Sequence, residues 1–354
     1  MKGLELNQLF YKEIVAGILK SNFPHLKYSA VLIGWGSEVL GYDDAQSADH
    51  NWGLRFQLFL SEKDHVKYSD SINKTLAGNL PEEFLGFPTT FEIHVNSDQR
   101  GERKNIKHNI EVETIERFFS RYLGCNPHDK IKAADWLTFS EHKLLTVMRG
   151  KVFYNGLSEL ESIRRKFTYY PHDVWLYILA AQWTKIFEEQ AFVGRCGQVG
   201  DELGSALIAV RQIKNLMRLC FLIERKYAPY SKWFGTAFSR LDCADKLEPL
   251  FEEVLQAKNW RERQQALGKA CAKIIQLFND LNIVSPISEE IAEYFSRPFL
   301  VIKDESVVEK LLSAIKDGEI KNIKHKLGSV NQFVDSNAQL NDVSLIQKLK
   351  LLYR

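Results

Sequence analysis

The chain has 354 residues, 45% of them hydrophobic and 26% charged, which is typical of a globular protein with a sizeable core. Its 47 Lys and Arg residues nearly balance its 45 Asp and Glu residues, giving a formal net charge of +2. This balance offers no case for a general nucleic-acid binder, in which a strongly basic domain is expected. The length predicts two domains.

The five cysteines are scattered, with no Cys-x-x-Cys pair, and so predict reduced thiols rather than disulfides or a zinc site. The N-terminus lacks an apolar signal core, and no apolar run reaches membrane-spanning length. We therefore expect a cytoplasmic protein without a membrane partner.

The first 124 residues are predicted to form a sheet with packed helices. Apolar residues recur at helical spacing over about residues 6–20 and predict an amphipathic helix. Alternating or continuous apolar runs predict strands at 28–35, 52–60, 89–95 and 108–114. Helices are predicted at 61–77, as a crossover, and at 115–123.

A small-residue loop between the first two predicted strands suggests phosphate binding. Gly36 lacks a Cβ atom, so together with Ser37 it would let backbone N–H groups approach a polyphosphate. Asp49 and Asn51 are two residues apart, and on an extended strand both would project from the same face. Two neighbouring oxygen ligands of this kind are suited to Mg²⁺.

A metal-dependent transfer to a hydroxyl group needs a further carboxylate from a neighbouring strand. Glu111 and Glu113 lie on the predicted strand at 108–114 and share a face by their spacing. Glu111 is the first choice and Glu113 the second. The alternative is that both are solvent-facing acids of an edge strand.

From about residue 125 the periodicity becomes helical and predicts a second, all-helical domain to residue 354. Within it, residues 150–157 are predicted to be a short extended stretch with a turn. Residues 288–295 are predicted to be a helix, and 297–302 an extended linker with a buried apolar stripe.

Two stretches of this domain have the composition of a binding site. Four glycines within residues 194–204 interrupt the helical pattern beside Arg195, which suits either close approach of a ligand or a flexible helix connection. In residues 227–238, aromatic residues and Lys232 crowd together. They predict either core packing or a pocket that stacks a ring and binds phosphate.

Residues 36–55 resemble the signature of the polymerase-β-like nucleotidyltransferase superfamily, a Gly-Ser loop followed by a strand with two carboxylates. The chain departs from this pattern at Asn51, where the superfamily has the second carboxylate.

The chain is also similar to the bacterial DUF4037 family. The similarity rests on Gly-Ser-Glu-Val-Leu-Gly at 36–41 and Asp-His-x-Trp-Gly-x-Arg at 49–55. In the helical domain it is densest at 192–195 and 230–234, and it extends over about 31–241.

These resemblances imply an α+β fold, with a polymerase-β-like mixed β-sheet domain at 1–124 and an all-helical domain at 125–354, DUF4037-like to about residue 241. They imply transfer of a nucleoside monophosphate from a nucleoside triphosphate (NTP) to a hydroxyl group of an acceptor, with Mg²⁺ or Mn²⁺ as the metal.

In such a reaction Asp49, Asn51 and Glu111 would ligate the metal, with Asp49 and Glu111 as the catalytic residues. Arg55 would neutralise phosphate charge or pair with Glu111. The candidate nucleotide-binding residues are Gly36, Ser37, Arg55, Arg195 and Lys232.

The acceptor stays open. A small molecule is slightly favoured, through likeness to aminoglycoside nucleotidyltransferases with a helical second domain, and a protein or RNA acceptor is the alternative. A third possibility is a nucleotide-binding or protein-interaction module with weakened catalysis. Asn51 would permit this, because its amide oxygen ligates Mg²⁺ without contributing charge.

Overall fold

The computed structural model of the chain describes residues 1–44, 52–95 and 103–354. In chain order its strands are β1 (Tyr28–Leu32), β2 (Arg55–Leu60), β3 (Glu83–Phe84), β4 (Phe87–Pro88), β5 (Thr90–Val95), β6 (Arg103–Thr114), β7 (Lys151–Asn155), β8 (Ile291–Tyr294) and β9 (Arg297–Ile302).

The helices are α1 (Gly3–Phe10), α2 (Ala16–Asn22), α3 (Ser37–Leu40), α4 (Glu62–Asn79), α5 (Ile115–Tyr122), α6 (Ala133–Thr138), α7 (Glu141–Arg149), α8 (Leu160–Lys166), α9 (His172–Glu189), α10 (Phe192–Gln198), α11 (Glu202–Ile223), α12 (Ser231–Phe238), α13 (Ala244–Gln256), α14 (Trp260–Asn279), α15 (Val307–Ala314), α16 (Gly318–Lys321), α17 (Asn337–Asn341) and α18 (Val343–Leu349). A π-helical turn at Tyr11–Val15 joins α1 to α2, and 3₁₀ turns lie at Val330–Gln332 and Lys350–Tyr353. No helix of the described residues is long and apolar enough to cross a membrane.

The chain folds into two compact units. The first contains Met1–Ile131 and Lys143–Thr168, and the second contains Lys132–His142 and Tyr169–Arg354. The predicted boundary after residue 124 does not coincide with this division. The reason is that β7, the predicted extended stretch, pairs antiparallel with β1 and so belongs to the sheet of the first unit.

The first unit is built on a mixed five-stranded sheet in the order β5-β6-β2-β1-β7. β2 and β6 are parallel, and the other neighbouring pairs are antiparallel. The parallel pair requires a long crossover, which contains α4 as the sequence predicts. The predicted α+β class, with an N-terminal mixed sheet and a helical C-terminal part, is confirmed.

One face of the sheet packs against the N-terminal helices and carries the apolar core. Four buried apolar residues of this segment, Leu6, Phe10, Val15 and Leu19, are four or five residues apart. The π-helical turn adds the extra residue between Phe10 and Val15, and so keeps all four side chains on one face. The strands contribute alternate residues to this core, namely Ala30, Leu32, Phe56, Leu58, Leu60 and Ile110.

The opposite face of the sheet carries the intervening residues. Because neighbouring strands place paired residues on the same face, Arg55, Gln57, Glu111 and Glu113 share it. Phe59 also lies on this face and packs edge-on against Phe118 of α5, with ring centroids 5.6 Å apart. This face is therefore partly polar and carries candidate functional side chains.

The second unit is helical except for one hairpin, so the prediction of an all-helical domain needs correction. β8 and β9 pair antiparallel where the sequence predicts a helix at 288–295 and an unpaired linker. Ile291 of β8 packs closely on Gly268 of α14. The short apolar run Ile291–Tyr294 is compatible with both the helical and the strand periodicity. Its pairing with β9 makes it a strand.

The glycine-rich stretch beside Arg195 contains the helix α10, a turn at Gly200 and the start of α11. Gly194 and Gly197 lie within α10. A Cβ atom on Gly194 would lie 2.6 Å from Cδ1 of Phe299, and one on Gly197 would lie 2.1 Å from Cγ of Trp260. These two glycines bring α10 close to two aromatic rings of the same unit, and this packing overrides their low helix propensity.

Candidate functional site

The turn at residues 34–37, between β1 and α3, depends on glycine. Gly34 has φ +85° and Gly36 has φ +119°, and α3 begins at Ser37. A Cβ atom on Gly36 would lie 2.2 Å from Nη2 of Arg55 and 2.3 Å from Oε2 of Glu38. Gly36 therefore makes room for two side chains of the protein, and the predicted contact of Gly36 and Ser37 with phosphate stays a prediction.

Arg55 and Glu38 form an ion pair against the 34–37 turn. Nε of Arg55 donates to Oε1 of Glu38 at 3.0 Å, and Nη2 of Arg55 donates to the carbonyl oxygen of Trp35. The Glu38 side chain is fully buried; its burial raises its pKa, and Arg55 opposes the rise. The predicted pairing of Arg55 with Glu111 is wrong, because Glu38 of the predicted loop is the partner. Sequence reasoning did not single out Glu38.

On the same face of the sheet, Glu111 and Glu113 converge on one nitrogen atom. Nη2 of Arg121, on α5, donates to Oε2 of Glu111 and to Oε1 of Glu113, at 3.0 Å in both cases. The prediction that the two glutamates share a strand face is confirmed. The Arg121 nitrogen marks a point at which two carboxylates together hold one positive charge.

The two glutamates differ in their burial. The side chain of Glu111 is 52% exposed and that of Glu113 only 13%. Burial raises the pKa of Glu113 to about 7; Arg121 opposes the rise, and the neighbouring Glu111 adds to it. A carboxyl group with a pKa near neutrality can exchange a proton at physiological pH. Glu113, the second choice from the sequence, thus has the better properties for a general base.

Replacement of Glu113 by glutamine is expected to reduce the pH dependence of stability. The folded state holds the Glu113 proton more tightly than the unfolded chain, so this contribution is full below pH 4.5 and is lost as pH rises to about 7. Glu113→Gln has no such loss and should gain about 1–3 kcal/mol over the wild type across this window. Urea unfolding at pH 4.5 and pH 8 measures the difference, with the exposed Glu116→Gln as control. Equal pH dependence in all three proteins would contradict the raised pKa.

A buried lysine lies beside the 34–37 turn. The Lys143 ammonium is 5.6 Å from the ring centroid of Trp35 and 5.3 Å from that of Tyr122, and Lys143 is 3% exposed. Trp35 keeps 37% of its surface exposed, and its ring lies 5.2 Å from that of Tyr122. Such cation–π contacts fix the indole ring in position. Sequence reasoning missed Lys143, because a lysine in a helical stretch gives no sign of its burial.

Two of the three predicted metal ligands, Asp49 and Asn51, lie outside the described residues; the third is Glu111. Within residues 1–44, 52–95 and 103–354, no group of three or more His, Cys, Asp or Glu side chains is placed to hold a metal ion.

Arg195 and Lys232 belong to the second unit. Arg195 is exposed on α10 and lines a cavity of about 720 Å³. Lys232 is exposed on α12, with its ammonium 4.9 Å from the ring centroid of Trp233. The predicted contact of these two residues with a nucleotide stays a prediction.

Comparison with known proteins finds a family match that includes residues of both units. Residues 136–234 match the family model described as "Domain of unknown function (DUF4037)". No curated protein matches the chain. The chain is similar to a solved nucleotidyltransferase-like protein from Exiguobacterium sibiricum 255-15, with 10% identity, a TM-score of 0.32, and coverage of 79% of this chain and 78% of that chain. The resemblance to DUF4037 found in the sequence is thus confirmed for residues 136–234.

Proposed function

We propose that the chain is a metal-dependent nucleotidyltransferase that moves a nucleoside monophosphate from an NTP to a hydroxyl group of an acceptor. The observation that carries this proposal is the convergence of Glu111 and Glu113 on one cationic nitrogen. The sheet register aligns Val31 of β1 with Gln57 of β2 and Glu111 of β6. Because β1 and β6 are two strand spacings apart, about 10 Å separates the strand before the 34–37 turn from the strand with the carboxylates. An NTP is long enough to contact both.

The carboxylate pair fits a divalent ion in its chemistry. Mg²⁺ prefers oxygen ligands and usually binds through one or two carboxylates together with waters and substrate phosphates. Glu111 and Glu113 already share the charge of Arg121, whose side chain is 53% exposed and can turn toward solvent. Asp49 and Asn51 would supply the further ligands that the sequence predicts. When bound, the ion would stabilise charge on the phosphoryl oxygens and lower the pKa of the attacking hydroxyl.

The residues of the chain have separate tasks in this proposal. Glu113 accepts the proton of the acceptor hydroxyl group. The hydroxyl oxygen then bonds to the α-phosphorus, and pyrophosphate leaves. The Arg55–Glu38 pair holds the 34–37 turn in shape instead of binding phosphate directly. Trp35, fixed by Lys143, offers a partly exposed ring on which a nucleobase stacks.

Calorimetric titration of the full chain with each of the four NTPs, with and without Mg²⁺, tests the proposal. We expect saturable binding that requires the metal. The double variant Glu111→Gln, Glu113→Gln should weaken this binding by about tenfold or more, because two charged ligands are lost. Glu116→Gln, which changes an exposed glutamate of α5, should bind as the wild type does.

The binding of these proteins can be compared only if each variant is folded, and thermal unfolding of each variant checks this. Absence of binding for all four NTPs would remove the proposed function. Binding that is equally tight without Mg²⁺, or unaffected in the double variant, would remove the carboxylate pair from the site.

The amide residue Asn51, in place of a second carboxylate, favours a second candidate function. This is a nucleotide-binding module that transfers no nucleoside monophosphate. An amide in place of a carboxylate lowers the negative charge available to the metal. Such a module would bind NTP in the same titration but release no pyrophosphate. Incubation with an NTP labelled in its α-phosphate, followed by fractionation into small molecules, protein and RNA, distinguishes the two functions and the three classes of acceptor.

A further inference from the structure

A preformed cavity lies within the second unit, apart from the residues of the proposed transfer site. It has a volume of about 720 Å³ and is enclosed by α9, α10, α15 and the β8–β9 hairpin. This volume is within the range of small-molecule sites. Its floor is held by the buried Gln190, whose Oε1 accepts from the backbone N of Ile302 at 2.7 Å and whose Nε2 donates to Oε1 of Glu305 at 3.2 Å.

Six charged side chains line this cavity, three of each sign. They are Arg195, Arg297, Lys326, Glu188, Glu305 and Glu309. Glu305 accepts the hydrogen bond from Gln190. The side chains of the other five make no ion pair or hydrogen bond with any described residue of the chain.

Two other exposed cations of the unit are paired, in contrast to those of the cavity. Arg211 pairs with Glu189 at 2.6 Å, and Lys269 pairs with Glu253 at 2.9 Å. In the cavity, equal numbers of opposite charges are present and do not pair with one another. They are carried by several elements, and both signs are available to a ligand.

Aromatic rings complete the lining. Phe192 of α10 is 41% exposed, and Tyr294 lies opposite Arg297 in the β8–β9 hairpin. Guanidinium groups bind carboxylates and phosphates through two parallel hydrogen bonds, whereas carboxylates bind protonated amines. Exposed rings beside these charges add a surface for a planar or apolar body.

We propose that this cavity binds a small amphoteric molecule, in which a planar or apolar body carries both an anionic group, carboxylate or phosphate, and a protonated amine. Arg195 and Arg297 take the anionic group. Glu188 and Glu309 take the amine. The site does not depend on the proposed nucleotidyl transfer, and it needs neither NTP nor metal.

Four compounds with one aromatic ring and different charges test this proposal. They are O-phospho-L-tyrosine, L-phenylalanine, phenyl phosphate and tyramine. Calorimetric titration of the full chain without NTP or metal should show the tightest binding for one of the first two, which carry both charges. The comparison of these two distinguishes phosphate from carboxylate as the anionic group. Phenyl phosphate and tyramine, with one charge type each, should bind at least about tenfold more weakly.

Variants assign the binding to the cavity. Arg195→Gln and Glu309→Gln should each weaken it by about tenfold, because each removes one charge-assisted hydrogen-bonding partner from an exposed position. Lys324→Gln, two residues from Lys326 and exposed outside the cavity, should leave binding unchanged. Thermal unfolding checks that each variant is folded.

Three results would overturn the inference. The first is that none of the four compounds binds at millimolar concentration. The second is that phenyl phosphate binds as tightly as O-phospho-L-tyrosine, which would mean that the carboxylates take no part. The third is binding that Arg195→Gln and Glu309→Gln leave unchanged, which would place the ligand elsewhere.

Discussion

Replacement of Asp49 by alanine is expected to abolish nucleotidyl transfer while the chain stays folded. Of the two predicted ligands Asp49 and Asn51, only Asp49 has a carboxylate, because Asn51 has an amide side chain. The positive charge of the metal would then be balanced from this segment by Asp49 alone. Its loss should remove both the Mg²⁺-dependent part of NTP binding and the transfer of an α-phosphate label to any acceptor fraction.

Two companion variants sharpen this test. Asp49→Asn keeps an oxygen ligand without its charge, so we expect binding between that of the wild type and that of Asp49→Ala. Asp70→Ala changes an exposed aspartate of α4 and should behave as the wild type. Full transfer activity in Asp49→Ala would exclude Asp49 from the catalytic centre.

Among glycine-to-alanine substitutions in the 34–37 turn, Gly36→Ala is expected to lower stability the most. The backbone of Gly36, with φ +119° and ψ 144°, is in a region that is almost restricted to glycine. The new Cβ atom would also overlap Arg55 and the buried carboxylate of Glu38, so their ion pair must move. Strain and a disrupted buried pair together should cost at least about 3 kcal/mol.

Gly41→Ala is the matched control for this change. Gly41 also has a positive φ, +72°, but no atom lies within 4 Å of the Cβ position. Backbone strain alone should cost about 1 kcal/mol there. Hydrogen exchange of the β1 and β2 amides under increasing urea reports on the first unit and measures both losses. A cost for Gly36→Ala no larger than that for Gly41→Ala would show that Arg55 and Glu38 do not pack against Gly36.

The sequence predicted the elements of the first unit well, because alternating strands and a long amphipathic helix have distinct periods. It could not assign the partner of Arg55, since the pairing joins β2 to α3 and depends on the three-dimensional arrangement. It ranked Glu111 above Glu113 by position relative to the family pattern. Their spacing gives the shared face, whereas the difference in burial comes from the packing of other elements around the sheet.

In the second unit, the prediction failed where one residue type serves two purposes. The glycines of residues 194–204 suggested either close approach of a ligand or a flexible helix connection. Gly200 does lie in the turn between α10 and α11, whereas Gly194 and Gly197 lie in a helix and admit the rings of Phe299 and Trp260. Only the partners of a glycine distinguish these cases. The sequence singled out Arg195 as a nucleotide contact, which stays a prediction; the cavity that it lines depends on β9 and α15, which are distant in sequence.

The pairing of β7 with β1 has a consequence for the synthesis of the protein. When the ribosome has produced the first 131 residues, the outer edge of β1 still lacks its neighbour, and it gains one only after residues 151–155 have emerged. An unpaired strand edge invites contact with other chains. A nascent or truncated chain that ends near residue 124 is therefore prone to aggregate, and a fragment meant to isolate the sheet must extend through residue 168.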